Sequence, residues 1–421
     1  MTSIQRLAGM EILDSRGWPT VRATCTLASG AQGTASVPSG ASTGTAEAKE
    51  LRDGDPLRYA GRGCRTAVAN INCELQAALA NRTDLSSQAD LDRALVTLDG
   101  TPAKARLGAN ALLAVSLAFA RACAAEAGLQ LYEYFALMLG RAISTIPKMT
   151  INLFSGGTHA GWQTPIQDVL IVPQSPTSVA EGLVMARAVY QEGVKLIHRK
   201  YNMRWLTADE GGLAPPVENA ECLLDDAVEC IQAAGFVPGK DVAIAVDVAS
   251  THFFKRGCYY ISETPHTANQ MIDRIVRWAD RYPIVSVEDG LAEDDWDNWP
   301  KLCTALSGRV AVIGDDLLCT NPQRIRRAIE SRACDGLLLK VNQIGTLTEA
   351  VEAYRLARAA GWSVTLSVRS GDTEDDWFAD LAVGWSADFT KAGSLTRSER
   401  LAKYNRLLTI EAELAAKRQM V

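Results

Sequence analysis

Residues 362–376 read WSVTLSVRSGDTEDD, and the character of the chain changes within this short stretch. Its first half is apolar and β-branched, which predicts a strand. The strand ends in Val368, Arg369 and Ser370, directly before Gly371. This strand therefore ends in a cation and a hydroxyl group. The question is which fold brings such strand ends together, and the neighbouring sequence indicates the answer.

The same pattern occurs four more times upstream. Short apolar runs end in a charged residue, and amphipathic stretches with apolar residues three and four positions apart lie between several of them. The runs are "VAIAVDV", "PIVSVEDG", "VAVIGDD" and "GLLLKVNQ", and the stretches are "TANQMIDRIVRWADRY", "NPQRIRRAIESRA" and "TLTEAVEAYRLARAAG". The polar residues that close the apolar runs recur at intervals of 41, 27, 25 and 29 residues and are Asp247, Glu288, Asp315, Lys340 and Arg369. Each interval fits one strand and one helix.

This arrangement predicts a (β/α) barrel from about residue 141 onward. The runs are apolar throughout, as in parallel strands that are buried on both faces. In such barrels the active site lies at the carboxyl ends of the strands, where the five polar residues would meet. The competing architecture is a doubly wound open sheet, but no glycine-rich phosphate-binding fingerprint follows a first strand here.

The N-terminal part of the chain has a different texture. It contains a strand-like run, a loop of small residues and an Ala/Leu-rich helix, which are "TVRATCTLAS", "VPSGASTGTAEAKELRDGD" and "NALLAVSLAFARACAAEAG". A chain of 421 residues is also long for a single core. We therefore expect an α+β domain over residues 1–140 and the barrel domain over residues 141–421.

Composition narrows the class of protein. The net charge is −6 without a basic stripe, so a nucleic-acid partner is not expected. No apolar run reaches the roughly 18–20 residues that cross a membrane, and the N-terminus lacks the layout of a secretory signal. The ten cysteines show no CxxC pair, which favours reduced thiols in the cytoplasm over disulfides or zinc.

The strand ends imply a metal site. Asp247, Glu288 and Asp315 would converge at the mouth of the barrel. Two unit charges ~4 Å apart repel by roughly 4 kcal/mol at an effective dielectric constant of ~20, so the three carboxylates need a cation or protons. An all-oxygen ligand set favours a hard ion, and we expect Mg²⁺.

Lys340 is the candidate base. The ammonium form of a lysine is disfavoured near a divalent cation, so this side chain can be partly neutral near pH 7. A metal ion beside a neutral lysine suits removal of a proton from the carbon next to a carboxylate. The alternative is a plain ion pair between Lys340 and the acidic cluster.

Ten segments in order along nearly the whole chain resemble the enolase family. They are "EILDSRGWPTV", "VPSGASTG", "SGGTHAGW", "ADEGGLAPP", "VSVEDGLAEDDW", "GDDLLCTN", "LLLKVNQIGTLTE", "SVRSGDTEDD", "ADLAVG" and "RSERLAKYNRLL". The resemblance implies an enolase-type (β/α)8 barrel with an N-terminal α+β capping domain. It also implies a hydro-lyase that acts on a phosphorylated carboxylate, and a homodimer or higher homo-oligomer.

The resemblance implies roles for the metal and base residues. The carboxylates that match Asp247, Glu288 and Asp315 hold the first of two Mg²⁺ ions. Ser39, in a loop of small residues, would join the second ion and contact the substrate. The lysine that matches Lys340 removes the C2 proton.

On the same basis, four further residues are expected to act in catalysis or substrate binding, and a fifth contacts the substrate carboxylate. His159 would lie on a loop near the phosphate group. Glu210 of "DEGG" is the general acid that helps the C3 hydroxyl to leave. His159 and Asp168 are expected to be catalytic, and Gln167 to contact the substrate. Lys391 matches the lysine near the substrate carboxylate and metal ions.

Arg369 and Ser370 match the phosphate-binding pair of the family. A guanidinium fork is well shaped for phosphate oxygens. The tip of the opening strand is therefore expected to be an anion clamp.

The sequence departs from the family pattern around the reacting end. Val368 occupies the position of a histidine, and Asp168 replaces a glutamate. Ser155 stands where asparagine is usual, and Trp162 adds a bulky ring to a substrate-side loop. A carboxylate shortened by one methylene moves by roughly 1–1.5 Å, and misplacement by ~1 Å can cost ~10²-fold in rate.

These departures predict retained machinery with a modified substrate. A carboxyphosphono-glycerate that yields carboxyphosphonoenolpyruvate is the analogue we expect, as in enolase-like synthases of phosphinate natural products. The first alternative is an ordinary enolase that converts 2-phosphoglycerate to phosphoenolpyruvate. The second, from another class, is a non-catalytic structural or binding relative, although the metal ligands and base are present.

Overall fold

The computed structural model of the chain describes residues 3–41 and 43–419. The strands are β1 (Ile4–Leu13), β2 (Pro19–Leu27), β3 (Gln32–Ser36), β4 (Lys148–Ser155), β5 (Asp168–Pro173), β6 (Val242–Asp247), β7 (Phe254–Lys255), β8 (Cys258–Tyr259), β9 (Ile284–Glu288), β10 (Ala311–Gly314), β11 (Gly336–Leu339), β12 (Ser363–Ser367) and β13 (Phe389–Lys391). The α-helices are α1 (Arg65–Asn70), α2 (Gln76–Leu79), α3 (Gln88–Asp99), α4 (Ala109–Glu126), α5 (Leu131–Leu139), α6 (Val179–Tyr201), α7 (Ala220–Ala233), α8 (Ala268–Arg281), α9 (Trp299–Leu306), α10 (Pro322–Ser331), α11 (Val341–Ile344), α12 (Leu347–Ala359), α13 (Trp377–Gly384) and α14 (Ser398–Gln419).

Eight strands form a closed barrel in the order β10-β11-β12-β13-β4-β5-β6-β9. The closure confirms the predicted barrel and excludes the open doubly wound sheet. The apolar runs of the sequence are its strands, and the amphipathic stretches between them are α8, α10 and α12.

One strand differs from the all-parallel expectation. β5 runs antiparallel to both of its neighbours, β4 and β6. The physical reason is the connection between β4 and β5, which is a loop without a crossover helix, and only antiparallel neighbours can be joined in this way. The amino end of β5 therefore lies at the same end of the barrel as the carboxyl ends of the other strands, and its first residue, Asp168, pairs in register with Asp247.

The N-terminal part packs an antiparallel sheet, β1-β2-β3, against α4. Gly33 of β3 permits the close approach, because a Cβ there would lie 2.2 Å from the carbonyl oxygen of Ala118. Among the described residues, one helix, α4, is long and apolar enough to cross a membrane, and 78% of it is buried inside the protein. Because most of α4 is buried against the rest of the protein, it is a core helix.

Several contacts bring the loop after β3 onto the catalytic end of the barrel. Ser39 and Gly371 pair through their backbones, with N–H to carbonyl distances of 2.7 and 3.0 Å. The indole N–H of Trp377 donates to the carbonyl oxygen of Ser36 at 3.0 Å. The loop of small residues thus lies beside the strand end that carries Arg369.

Candidate active site

Two carboxylates end neighbouring barrel strands and share one lysine. Asp247 is the last residue of β6, Glu288 is the last residue of β9, and the two are partners in register. Lys391, at the end of β13, donates to Oδ2 of Asp247 at 2.6 Å and to Oε2 of Glu288 at 2.8 Å. All three side chains are buried. Lys391 therefore lies where these strand ends meet.

The third carboxylate and the candidate base form a second ion pair. Asp315 follows β10 and Lys340 follows the adjacent strand, β11. Nζ of Lys340 donates to Oδ2 of Asp315, and the amide of Gln343 donates to Oδ1 of the same carboxylate at 2.8 Å. Burial alone would lower the pKa of Lys340, but the charges of Asp315 and Glu288 outweigh it, so the pKa lies above its ordinary value. The lysine is charged in this arrangement.

The chemistry of these carboxylates suits a divalent cation, but the expected convergence of all three is not seen among the described residues. Asp247, Glu288 and Asp315 do not form one of the groups whose ligand atoms lie within 4.8 Å of one another, because lysines pair with them separately. Burial, and then the nearby charge of Asp247, raise the pKa of Glu288 well above its usual range. Burial acts in the same direction on Asp247, but the charge of Lys391 outweighs it and lowers the pKa of Asp247. Oε1 of Glu288 is buried and has no hydrogen-bond partner among the described residues. A free carboxylate oxygen in an all-oxygen, strongly acidic set is the environment that Mg²⁺ prefers.

Two further carboxylates, which the sequence analysis did not single out, flank Asp315. Ligand atoms of Asp289, Asp315 and Asp316 lie within 4.8 Å of one another. Asp289 accepts hydrogen bonds from the backbone N–H groups of Asp315 at 2.9 Å and Asp316 at 2.8 Å. Since both of its oxygens are used in this way, Asp289 orients the turn that presents Asp315.

A second acid–base cluster lies at the same end of the barrel. Ligand atoms of His159, Asp168 and Glu210 lie within 4.8 Å of one another, and all three side chains are buried. Oδ1 of Asp168 accepts from Ser155 at 2.6 Å and from Asn152 at 2.8 Å. The same amide nitrogen of Asn152 lies 3.3 Å from Oε2 of Glu210. Asn152 therefore bridges the two acids.

The environments of these two acids push their pKa values apart. Burial, together with the charge of Glu210, raises the pKa of Asp168 well above its usual range. Burial also opposes ionisation of Glu210, but the charges of Arg400, His159 and Lys391 outweigh it and lower the pKa of Glu210. Burial lowers the pKa of His159. The two shifts therefore favour the protonated form of Asp168 and the ionised form of Glu210.

Local chain geometry brings Glu210 to this cluster. Glu210 is in the loop between α6 and α7, which lies at the catalytic end because β5 runs in the opposite direction to β6. Backbone bonds join Leu213 to the end of β4, with Ser155 N–H donating to the carbonyl of Leu213 at 2.8 Å. A Cβ on Gly212 would lie 2.3 Å from Oγ of Ser155. The glycine is required for this close approach.

The anion clamp is held by residues that the sequence analysis missed. The guanidinium of Arg369 donates to both oxygens of Glu47, at 2.9 and 3.2 Å, and lies 3.4 Å from Oδ1 of Asn342. Oγ of Ser370 accepts from Arg16 at 3.1 Å and from the N–H of Ala41 at 3.0 Å. Glu47 and Arg16 come from the N-terminal part, so both halves of the chain build the clamp.

Of the two remaining predicted substrate contacts, Gln167 lines the cavity and Ser39 does not. Gln167 lies in the cavity wall and donates to Oδ2 of Asp247 at 2.9 Å. The hydroxyl of Ser39 donates to Glu50 at 2.9 Å and accepts from Arg52 at 2.7 Å. Within the described part of the chain, Ser39 is not among the residues that line the cavity with Lys340. Its expected contacts with an ion and with the substrate stay predictions.

One small cavity of about 20 Å³ is lined by most of the predicted residues. Its lining consists of Ala41, His159, Gln167, Asp168, Glu210, Lys340, Ser367, Val368, Arg369, Ser370 and Lys391. Val368 is buried and is one of the two aliphatic side chains in this lining. The opening strand therefore contributes an apolar wall as well as the anion clamp.

The missed residues had weak signals in the sequence. Glu47, Asn342 and Arg400 lie among other polar residues in "AEAKE", "KVNQ" and "RSER", so nothing distinguishes them locally. Their partners are distant in sequence, and spacing along one segment cannot show such contacts. Asp289 had a clearer signal, since it follows Glu288 directly at a strand end.

Two family models match the chain. "Enolase, N-terminal domain" matches residues 4–135, and "Enolase, C-terminal TIM barrel domain" matches residues 143–421. Neither match separates a member with a modified substrate from an ordinary one. Because the two models together match nearly the whole sequence and their barrel agrees with the fold, the chain belongs to the enolase family of hydro-lyases.

Proposed function

We propose that the protein is an ordinary enolase, which removes water from 2-phosphoglycerate to give phosphoenolpyruvate with Mg²⁺ as cofactor. One observation carries this proposal: a single cavity is lined by a lysine base, an acid–base cluster and an anion clamp. These are Lys340, the group His159–Asp168–Glu210, and the pair Arg369 and Ser370. An elimination needs a base on one side of the substrate and an acid on the other.

Asp247, Glu288 and Asp315 would hold the ion, with the free Oε1 of Glu288 as one donor atom. When bound, Mg²⁺ supplies positive charge that offsets these carboxylates, stabilises negative charge on the substrate carboxylate and disfavours the ammonium form of Lys340. The family matched here is typically dependent on this ion.

Lys340 accepts the C2 proton at Nζ. Its ion pair with Asp315 fixes the position of Nζ, and Gln343 holds the other oxygen of that carboxylate. Lys340 must lose its own extra proton before the reaction, because only the neutral amine has a lone pair that can accept the C2 proton. Lys391, which lines the same cavity, orients the substrate carboxylate.

The leaving hydroxyl receives a proton from the second cluster. The raised pKa of Asp168 favours a proton on this acid in the free protein, and the amide of Asn152 donates to both Asp168 and Glu210 and so holds the two acids side by side. An anionic substrate raises the pKa of a carboxyl group beside it, so Glu210 gains affinity for the proton as the substrate binds. Glu210 then protonates the C3 hydroxyl, which leaves as water.

A modified substrate is the second candidate function. The observation that favours it is Val368, an apolar side chain in the wall of a mainly polar cavity, beside a shortened acid, Asp168. A carboxyphosphono-glycerate would give carboxyphosphonoenolpyruvate by the same elimination. The family matches support the ordinary reaction at least as well.

Steady-state assays with both substrates test the two candidates. We expect turnover of 2-phosphoglycerate within about tenfold of the median enzyme value of ~10 s⁻¹, and its loss when Mg²⁺ is chelated. A kcat/KM about 100-fold higher for the carboxyphosphono analogue would instead establish the second candidate. The variant Val368→His is the matched probe, since it changes the cavity wall without touching the base. No turnover of either compound with Mg²⁺ present would leave the non-catalytic alternative.

We also propose the assembly and setting expected from the sequence. These are a division into domains at residues 1–140 and 141–421, a homodimer or higher homo-oligomer, and a cytoplasmic location. The ten cysteines are all free, which is consistent with a reducing compartment. Sedimentation of the purified chain would test the oligomer.

A further inference from the structure

The C-terminal helix, α14, presents a face of buried donors to the catalytic end of the barrel. Arg400, Lys403 and Tyr404 are three and four positions apart, so they lie on one side of the helix. Their exposed fractions are 0, 1 and 1%. Buried cations need partners, and here most of the partners are backbone carbonyl groups of loops that follow barrel strands.

Arg400 holds the peptide that carries the anion clamp. Its NH1 donates to the carbonyl oxygen of Arg369 at 2.7 Å, and its NH2 donates to the carbonyl oxygen of Ser370 at 2.6 Å. β12 ends at Ser367, so these carbonyl groups lie beyond the strand ladder and need donors from elsewhere. A planar guanidinium can bond to two successive carbonyl groups at once, whereas an ammonium cannot hold both in a fixed plane.

Two neighbouring features support the same role. Lys403 donates to the carbonyl oxygen of Thr373 at 2.5 Å, farther along the same loop. A Cβ on Gly393 would lie 2.8 Å from Cδ of Arg400, so the glycine makes room for the side chain. The alternative is a purely structural ion pair. Its partners would be Asp372, which lies 3.6 Å from Arg400, and Glu399, which lies 3.2 Å from it.

We propose that Arg400 is a positioning residue for the anion clamp, which fixes the peptide of Arg369 and Ser370 in the orientation that binds the phosphate group. The inference deepens the proposed function and rests on it for the identity of the anion. Arg400 does not line the cavity, so it acts through the clamp. Its effect belongs to substrate binding more than to the chemical step.

The substitution Arg400→Lys tests the role, because it keeps a positive charge near Glu210 but removes the fork. We expect KM for 2-phosphoglycerate to rise about tenfold, as for loss of one charge-assisted hydrogen bond, while kcat changes less than about threefold. The matched control is Arg406→Lys, on the same helix, where the arginine pairs with Asp380 at 2.6 and 3.0 Å. The control is expected to lower stability without changing KM.

A folded Arg400→Lys variant with unchanged KM would overturn the proposal, and so would an equal rise in KM in the Arg406→Lys control. If Arg400→Lys does not fold, Arg400→Gln, which keeps one amide donor, must show the same rise in KM. Thermal stabilisation by inorganic phosphate provides a readout without turnover. Stabilisation of the wild type at phosphate concentrations that leave Arg400→Lys unaffected supports the proposal even if 2-phosphoglycerate proves not to be the substrate.

Discussion

Lys340 and Glu210 line the same cavity with opposite charges. The pKa of Lys340 is raised by Asp315 and Glu288 against the effect of burial, and that of Glu210 is lowered by Arg400 and His159 against the same effect. Each group therefore favours, in the free protein, the protonation state opposite to the one that the proposed elimination needs. Binding of a cation and an anionic substrate would shift both pKa values in the required direction, so the proposed chemistry would depend on the loaded site.

This division of roles gives a prediction at the residue scale. Lys340→Ala and Glu210→Gln should each lower kcat for dehydration by about 10²–10⁴-fold, the usual contribution of a general acid or base. Exchange of the C2 hydrogen with solvent deuterium should persist in Glu210→Gln and disappear in Lys340→Ala, because in the proposed mechanism Lys340 is the group that removes that proton. Mass spectrometry of recovered substrate measures the exchange.

Lys301→Ala is the control for these variants, since Lys301 is exposed and its ammonium group donates to Oδ1 of Asn298 at 2.7 Å, away from the cavity. Its kcat should match that of the wild type. Retention of C2 exchange in a folded Lys340→Ala variant would contradict the assignment of the base.

At the scale of elements, a buried acid joins the N-terminal part to a barrel helix. Oδ2 of Asp92, on α3, accepts from the backbone N–H of Thr348 at 2.8 Å and from its hydroxyl at 2.6 Å, at the start of α12. Gln88 donates to the other oxygen at 3.1 Å. Burial raises the pKa of Asp92 to about 6 in spite of these bonds.

The raised pKa predicts a pH dependence of stability. Between about pH 4 and pH 6 the folded chain keeps a proton on Asp92 that the unfolded chain has released. The free energy of unfolding should therefore fall as the pH rises through this window, by at most about 3 kcal/mol from this group. The difference between the wild type and Asp92→Asn, measured by urea unfolding, should fall with rising pH in the same window.

Asp90 on the same helix provides a control of opposite sign. Hydrogen bonds from Ser87 and Ser86 lower the pKa of Asp90, so its contribution is lost as the pH falls. The difference between the wild type and Asp90→Asn should therefore rise with pH. A flat difference for Asp92→Asn would show that Asp92 has the same pKa in the folded and unfolded chains, which would contradict the prediction.

At the scale of the whole molecule, the barrel closes around a concentrated negative charge. Asp247, Glu288 and Asp315 come from three strands, so an ion that binds all three ties those strands together. A ligand that binds only the folded state stabilises it by mass action, by about 2.7 kcal/mol at 100 times Kd.

Mg²⁺ should therefore raise the thermal midpoint of the wild type in a saturable way, and excess chelator should reverse the shift. Asp247→Asn should lose most of the shift. Glu221→Gln, which alters a helix ion pair with Arg274, should keep it. An equal shift in all three proteins would place the ion elsewhere.

Much of this site could be predicted from the sequence because strand ends carry a local signal. Asp247, Glu288, Asp315, Lys340 and Arg369 each close an apolar run, and a closed barrel brings such positions together whatever the loops do. Asp168 and Glu210 do not close a run of that kind, and only the resemblance to a family pointed to them. Asn152, Glu47 and Arg400 act through partners far away along the chain and carried no pattern of their own.

The sequence by itself determined the barrel, the polar residues at its mouth and the family, because alternation of apolar runs with amphipathic stretches is a local property of the chain. The tertiary structure decided that β5 is reversed, since the direction of a strand depends on how its connecting loop closes. That reversal places Asp168 and Glu210 at the catalytic end. The tertiary structure also decided which donors hold each charge, because hydrogen bonds across a fold depend on the approach of segments that the sequence keeps apart.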